Sequence, residues 1–192
     1  MALARLMAGN QRFVSGNLQD TGRDDIRRAQ QAEGQTPYAI ILGCSDSRVP
    51  PEVIFDEGIG DLFLVRVAGN TASVPILVGS IEYAVTTFGC SLLMVLGHGD
   101  CGAVKAAIDV VKKGTSLPGS LPAVVEPIIP AVRQVQNEPD AGLLQAATRQ
   151  NALQTAAQLR TADSLITNVV NSGKLKIVAA EYQLRTGAVE LL

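Results

Sequence analysis

The chain has one histidine and three cysteines among its 192 residues. His98 and Cys101 stand three apart in GHGDCGAV (97–104), and Cys44 opens CSDSR (44–48). Zinc accepts thiolate sulfur and imidazole nitrogen, and three protein ligands leave a fourth position open. Cys44, His98 and Cys101 would make such a Cys2His set. His-x-x-Cys alone also suits a packed or capped turn; the partnership with Cys44 gives the pattern its weight. Glycines at 97, 99 and 102 would let the backbone bend tightly around an ion. Cys90, between Gly89 and an apolar run, reads as a small core or strand-entry residue.

Asp46 and Arg48 follow Cys44 directly. In an extended CSDSR, alternation would set Cys44, Asp46 and Arg48 on one side. A carboxylate and a guanidinium so placed can pair through two hydrogen bonds. The competing reading is an Asp capping the next turn beside a solvated Arg. Cysteine-based phosphate chemistry does not fit, because the spacing is Cys-x3-Arg and an anion-repelling Asp intervenes.

These residues need elements to bring them together. YAIILG (38–43), LFLVRV (62–67), SLLMVLG (91–97) and KLKIVAAEY (174–182) are apolar runs that predict buried strands, the first and third bounded by Pro or Gly. AVELL (188–192) predicts a short last strand after a turn at 185–187. Leu3, Leu6, Met7 and Phe13 form a helical stripe ending near Gly16. Other helical patterns cover 24–33, 75–88, 103–112, 122–136, 142–160 and 162–172. Pro118, Pro122, Pro127 and Pro130 predict breaks or a kink across 114–130. Strands alternating with helices imply one α/β domain with a mainly parallel β-sheet flanked by α-helices. Ligands in such sheets collect at the strands' carboxyl ends. CSDSR follows the first predicted strand and GHGDCG the third, so the two loops can meet.

Net charge is −2 and there is no Lys/Arg run, which argues against a nucleic-acid partner. No stretch of 18 apolar residues predicts a membrane span. The odd number of cysteines is a poor disulfide framework, and the N-terminus lacks the pattern of a secretory signal. A reducing cytoplasm is the expected location, unless a targeting segment has been trimmed.

Cys-x-Asp-x-Arg at 44–48, followed by His-x-x-Cys at 98–101, resembles the β-class carbonic anhydrases. GNQRFVSG (9–16), GCSDSRVPPEVIFD (43–56), GDLFLVRVAGN (60–70), SIEYAV (80–85) and GHGDCGAV (97–104) look like that family in order and spacing. The resemblance weakens across 114–172. It implies one domain over 1–192, with residues 1–34 forming an N-terminal helical arm that packs on a partner subunit. It implies a homodimer or homotetramer with sites at the dimer interface. Zn2+ would be held by Cys44, His98 and Cys101, with Asp46 and Arg48 as the catalytic dyad. The implied reaction is reversible hydration of CO2 to bicarbonate and a proton by zinc-bound hydroxide. Gln35, Phe63, Ala68, Tyr83 and the backbone N–H of Gly102 would line the substrate pocket. Phe63 and Tyr83 equally suit core positions, and Ala68 stands where plant-type members carry valine. One subtype closes through a second bicarbonate site with a tryptophan; this chain has none, and Ile41 takes that place. An open site at alkaline pH is therefore expected. With His98 on the metal, proton transfer falls to Tyr83, water or buffer. Two other readings stay open: hydrolysis of carbonyl sulfide or carbon disulfide on the same scaffold, and a zinc- or bicarbonate-binding protein without catalysis.

Overall fold

Strands β1 (Ala39–Gly43), β2 (Leu62–Arg66), β3 (Leu92–His98), β4 (Lys176–Tyr182) and β5 (Val189–Leu191) form one sheet. Their order is β2-β1-β3-β4-β5. The first four are parallel and β5 runs antiparallel to β4. The computed structural model describes residues 1–19 and 22–192.

The order contains a reversal. The chain leaves β1 for β2 on one side, then returns to lay β3 on the other. Such a switch opens a crevice beyond the carboxyl ends of the two central strands. Gly43 at the end of β1 pairs in register with Leu96 of β3. Cys44 therefore emerges beside the last residues of β3, Gly97 and His98.

β1 and β3 are buried along their whole length. That burial on both faces explains why they read as continuous apolar runs rather than alternating ones. Ala39, Ile41, Met94, Leu96 and Tyr182 face one layer, which includes Leu6 and Val104. Ile40, Leu42, Leu93, Val95 and Ala179 face the other, with Ile81, Ala156 and Ile166.

The helices are α1 (Ala2–Ser15), α2 (Asp25–Ala32), α3 (Pro51–Ile54), α4 (Pro75–Phe88), α5 (Gly102–Lys113), α6 (Leu121–Val125), α7 (Ile129–Gln134), α8 (Asp140–Arg160) and α9 (Ser164–Asn171). The expected helix 122–136 is broken. A 3-10 turn at Glu126–Ile128 divides it, where Pro127 and Pro130 cannot donate backbone hydrogen bonds. α3 leaves no periodic signal in the sequence, since one turn is too short to show a period. Among the described residues no helix is long and apolar enough to cross a membrane.

Within the expected arm of residues 1–34, α1 packs on the body of its own chain. Leu6 is fully buried. Asn10 Nδ2 donates to the carbonyls of Ile54 (3.1 Å) and Gly187 (2.8 Å), and its Oδ1 accepts from Val189 N (2.8 Å). Arg12 Nε donates to Asp56 Oδ2 at 2.5 Å. A Cβ on Gly9 would overlap the Phe55 carbonyl, so that glycine permits the close approach. Of the α1 stripe, Leu6 is buried within one chain and Leu3, Met7 and Phe13 only partly, whereas α2 has no buried residue. Asp20 and Thr21 of the arm lie outside the described residues.

Candidate metal centre and active site

Cys44, His98 and Cys101 meet at the crevice between β1 and β3. Their ligand atoms all lie within 4.8 Å of one another. All three residues are buried. Cys44 arrives one residue past β1, His98 ends β3, and Cys101 is the N-cap of α5.

The chemistry of the donors fits a soft divalent metal. His98 Nδ1 lies 2.8 Å from the Gly99 carbonyl oxygen. A carbonyl only accepts, so Nδ1 carries the proton and Nε2 is left with its lone pair. Nε2 is buried and has no hydrogen-bond partner. An orphaned buried acceptor beside two sulfurs asks for a cation. All three cysteines are unpaired. The Cys44 thiol is pulled down to about 4, first by hydrogen bonding from Cys101, against burial, with help from His98 and the Gly69 N–H. The Cys101 thiol is pushed up by the sulfur of Cys44 and by burial. The two neighbouring sulfurs thus resist ionising together, and a metal ion binding them would displace their protons. On His98 burial opposes a charge and the Cys44 sulfur favours it, with a net rise.

Gly69 N donates to Cys44 Sγ at 3.4 Å. Gly69 has φ 80°, and a Cβ there would press on Ile128 Cδ1 at 2.6 Å. Glycine is needed here, because the backbone turns left-handed and approaches the sulfur closely. Arg66 secures the Cys44 loop. Its Nε donates to the Cys44 carbonyl (2.9 Å) and its Nη2 to the Asp46 carbonyl (2.7 Å). Neither residue stands out as a site residue in the sequence. An arginine closing the apolar run LFLVR is the available signal for Arg66.

Asp46 and Arg48 pair as expected, by a different local route. CSDSR does not run extended. Arg48 N donates to Asp46 Oδ1 (2.9 Å) and Val49 N to the Asp46 carbonyl (3.2 Å), so the chain turns at Asp46. Arg48 Nε reaches Asp46 Oδ1 (2.9 Å) and Nη2 reaches Oδ2 (2.7 Å). Capping and pairing occur together. These bonds hold the Asp46 carboxyl well below the usual carboxylate range. Arg48 borders a cavity of about 720 Å3 whose walls also include Gly99, Asp100, Gln183 and Glu190.

The glycines at 97, 99 and 102 do not make the bend. The left-handed residue of that turn is Asp100, with φ 59°. At Gly97 a Cβ would make only ordinary contacts with Thr148 and Ala152, at 3.4–3.5 Å. Cys90 is buried and its Sγ donates to the Pro37 carbonyl (3.1 Å), as a core residue would.

The expected pocket residues are scattered in one chain. Gly102 opens α5 next to Cys101, and Ala68 is half-buried beside Gly69. Gln35 is exposed in the loop before β1. Phe63, on edge strand β2, joins Tyr83 and Phe88 of α4 in a ring cluster, with centroids 5.5–6.3 Å apart. Tyr83 is 54% exposed and Ile76, two turns earlier on the same helix face, 76%. Among the described residues, the ring contacts of Phe63 and Tyr83 reach Phe88 and each other, not the ligand set.

The sequence profile of the carbonic anhydrase family matches residues 39–189. Carbonic anhydrase 2 of Mycobacterium tuberculosis (strain CDC 1551 / Oshkosh) is 42% identical over 188 residues, 97% of this chain and 89% of that protein. The solved structure of the β-carbonic anhydrase CcaA is 27% identical and superposes with a TM-score of 0.77, covering 100% of this chain and 95% of that one. A tetrameric β-carbonic anhydrase from Sordaria macrospora shares the fold at 21% identity, with a TM-score of 0.77 over 86% of this chain and 85% of its own.

Proposed function

The chain belongs to the β-class carbonic anhydrase family, and on that premise we propose that it is a zinc-dependent carbonate dehydratase. It interconverts CO2 with bicarbonate and a proton. The observation that carries the reading is the buried, unpartnered Nε2 of His98 facing two sulfurs beside a bidentate Asp46–Arg48 pair.

Cys44, His98 and Cys101 would hold Zn2+. Zinc there would act as a Lewis acid that brings the ionisation of water toward about pH 7, an effect best known from carbonic anhydrases themselves. Two thiolates neutralise more of the metal's charge than neutral imidazoles do, so neighbouring groups must contribute. Asp46 is ionised and can only accept hydrogen bonds. It therefore accepts a hydrogen bond from the attacking water and so turns that water's lone pair toward CO2. Arg48 keeps the carboxylate charged and aimed, and so keeps it from becoming a fourth ligand. Bicarbonate leaves and the proton passes to solvent or buffer.

The substrate pocket needs a second copy of the chain. Ile76 and Tyr83, with Phe63 and Phe88, form an exposed apolar face on α4 and edge strand β2. A partner seated there would cover that face and bring its rings toward a neighbouring site. This supports a homodimer or a homotetramer, and tetramers occur among relatives of this fold. Residues 1–192 act as one domain in this reading, and the exposed α2 of the arm is free to meet the partner. Three unpaired cysteines suit a reducing compartment such as the cytoplasm.

Stopped-flow CO2 hydration on the zinc-loaded chain, with sulfide release from carbonyl sulfide and carbon disulfide assayed in parallel, tests the reading. Fast CO2 hydration with slow sulfide release is expected. Sulfide release as the faster reaction would move the function to a hydrolase, and neither reaction would leave a binding protein.

A further inference from the structure

Arg48 is gripped on two edges. Its Nε/Nη2 edge faces Asp46. Its Nη1/Nη2 edge faces Asp100, with Nη2 donating to the Asp100 carbonyl at 3.4 Å and Nη1 standing 3.5 Å from Asp100 Oδ2. The other oxygen of that carboxylate, Oδ1, is paired with Lys105 Nζ of α5. Charges therefore alternate along Asp46, Arg48, Asp100 and Lys105.

Asp100 is placed for this by its backbone. It occupies the left-handed region at φ 59° between two of the metal-ligand positions, His98 and Cys101. Asp and Asn tolerate that conformation better than most residues. The turn is fixed from below by the Gly99 N–H, which donates to the Tyr182 carbonyl at 3.0 Å. The turn that carries two ligands thus also presents a carboxylate and a carbonyl to the outer edge of Arg48. Rotation of the guanidinium about Nε–Cζ would break contacts on both edges.

We propose that Asp100, steadied by Lys105, is a positioning residue that clamps Arg48 onto Asp46 and so keeps Asp46 away from the fourth metal position. The proposal rests on the carbonate dehydratase reading for its consequence, while the clamp itself is a property of the metal-free chain. With Asp100 neutral or absent, Arg48 turns more freely and Asp46 swings more often toward the ligand set.

The test uses the chain labelled with 15N-arginine, unmutated and as Asp100→Asn, Asp100→Gly and Lys105→Ala. Asn keeps the left-handed preference and removes the charge; Gly keeps the backbone and removes the side chain. NMR of the metal-free proteins reads the rotation rate of the Arg48 guanidinium, its signal identified by loss in Arg48→Lys. Rotation should quicken roughly 2- to 5-fold in both Asp100 variants, the range open to a half-exposed ion pair, and less in Lys105→Ala. After zinc loading, kcat/KM for CO2 should fall by a similar factor at unchanged zinc content. Unchanged rotation in both Asp100 variants overturns the clamp. Faster rotation with undiminished hydration overturns its part in catalysis. Lack of hydration in the unmutated chain strikes the enzyme reading, and the rotation rates still decide the clamp on their own.

Discussion

The Gly99 carbonyl fixes the protonation of His98. Nδ1 lies 2.8 Å from that oxygen, and Nε2 is consequently the free nitrogen, buried beside Cys44 and Cys101. The chain's one imidazole is thereby committed. It is oriented as a ligand and has no solvent-facing nitrogen with which to relay protons.

Metal should stabilise this chain measurably. An ion that binds only the folded state adds about 2.7 kcal/mol when its free concentration is 100 times its Kd. For a chain of this size that corresponds to a rise of about 5–10 °C in unfolding temperature. Calorimetry with and without a chelator should show this difference, and His98→Ala should abolish it.

Asp56 gives a pH-dependent prediction away from the site. Burial alone would raise its pKa, but the Arg12 guanidinium and the Gln19 N–H outweigh burial and hold it below the usual value. Its contribution is therefore present above the unfolded value of about 3.9 and is lost as pH falls through the depressed one. Asp56→Asn should lower stability at pH 7 by about 2–3 kcal/mol, the scale of a charge-assisted hydrogen bond. Asn tolerates the φ of 48° found here, so backbone strain does not confuse the result. Urea titrations at falling pH should show the deficit shrinking once the carboxyl protonates.

The two central strands and the ligand set are legible in the sequence because burial on two faces writes a continuous apolar run, and because His and Cys are scarce. Other features depend on contacts that no local pattern encodes. Alternation places Asp46 on an extended segment; a side-chain hydrogen bond to Arg48 N turns the chain instead. The glycines around Asp100 draw attention to themselves, yet Asp100 makes the bend. Arg66 reaches the site from another strand. Gln35 and Tyr83 rest on resemblance alone, and one chain does not gather them.

Proton transfer should depend on buffer. The only imidazole faces the ligand set, so no side chain of that type can carry protons to solvent. At saturating CO2, turnover should rise with imidazole-type buffer and then level off. A rate flat from low concentration upward would mean that an internal group suffices.

The α4 face should govern assembly. Ile76→Glu places a charge on a side chain that is already 76% exposed, so the isolated fold should tolerate it. If a second copy covers that face, light scattering after size-exclusion chromatography should find the variant smaller than the unmutated protein. Equal masses would put the interface elsewhere.

The central claim is that Asp46 acts on the attacking water while three other residues hold the metal. Stopped-flow CO2 hydration by Asp46→Ala, with zinc measured on the same sample, tests it most directly. The account predicts a loss of at least about 100-fold, in the range of a positioned acid–base group, with zinc retained at the unmutated level. Hydration within a few-fold of the unmutated enzyme, or loss of zinc together with activity, would contradict it.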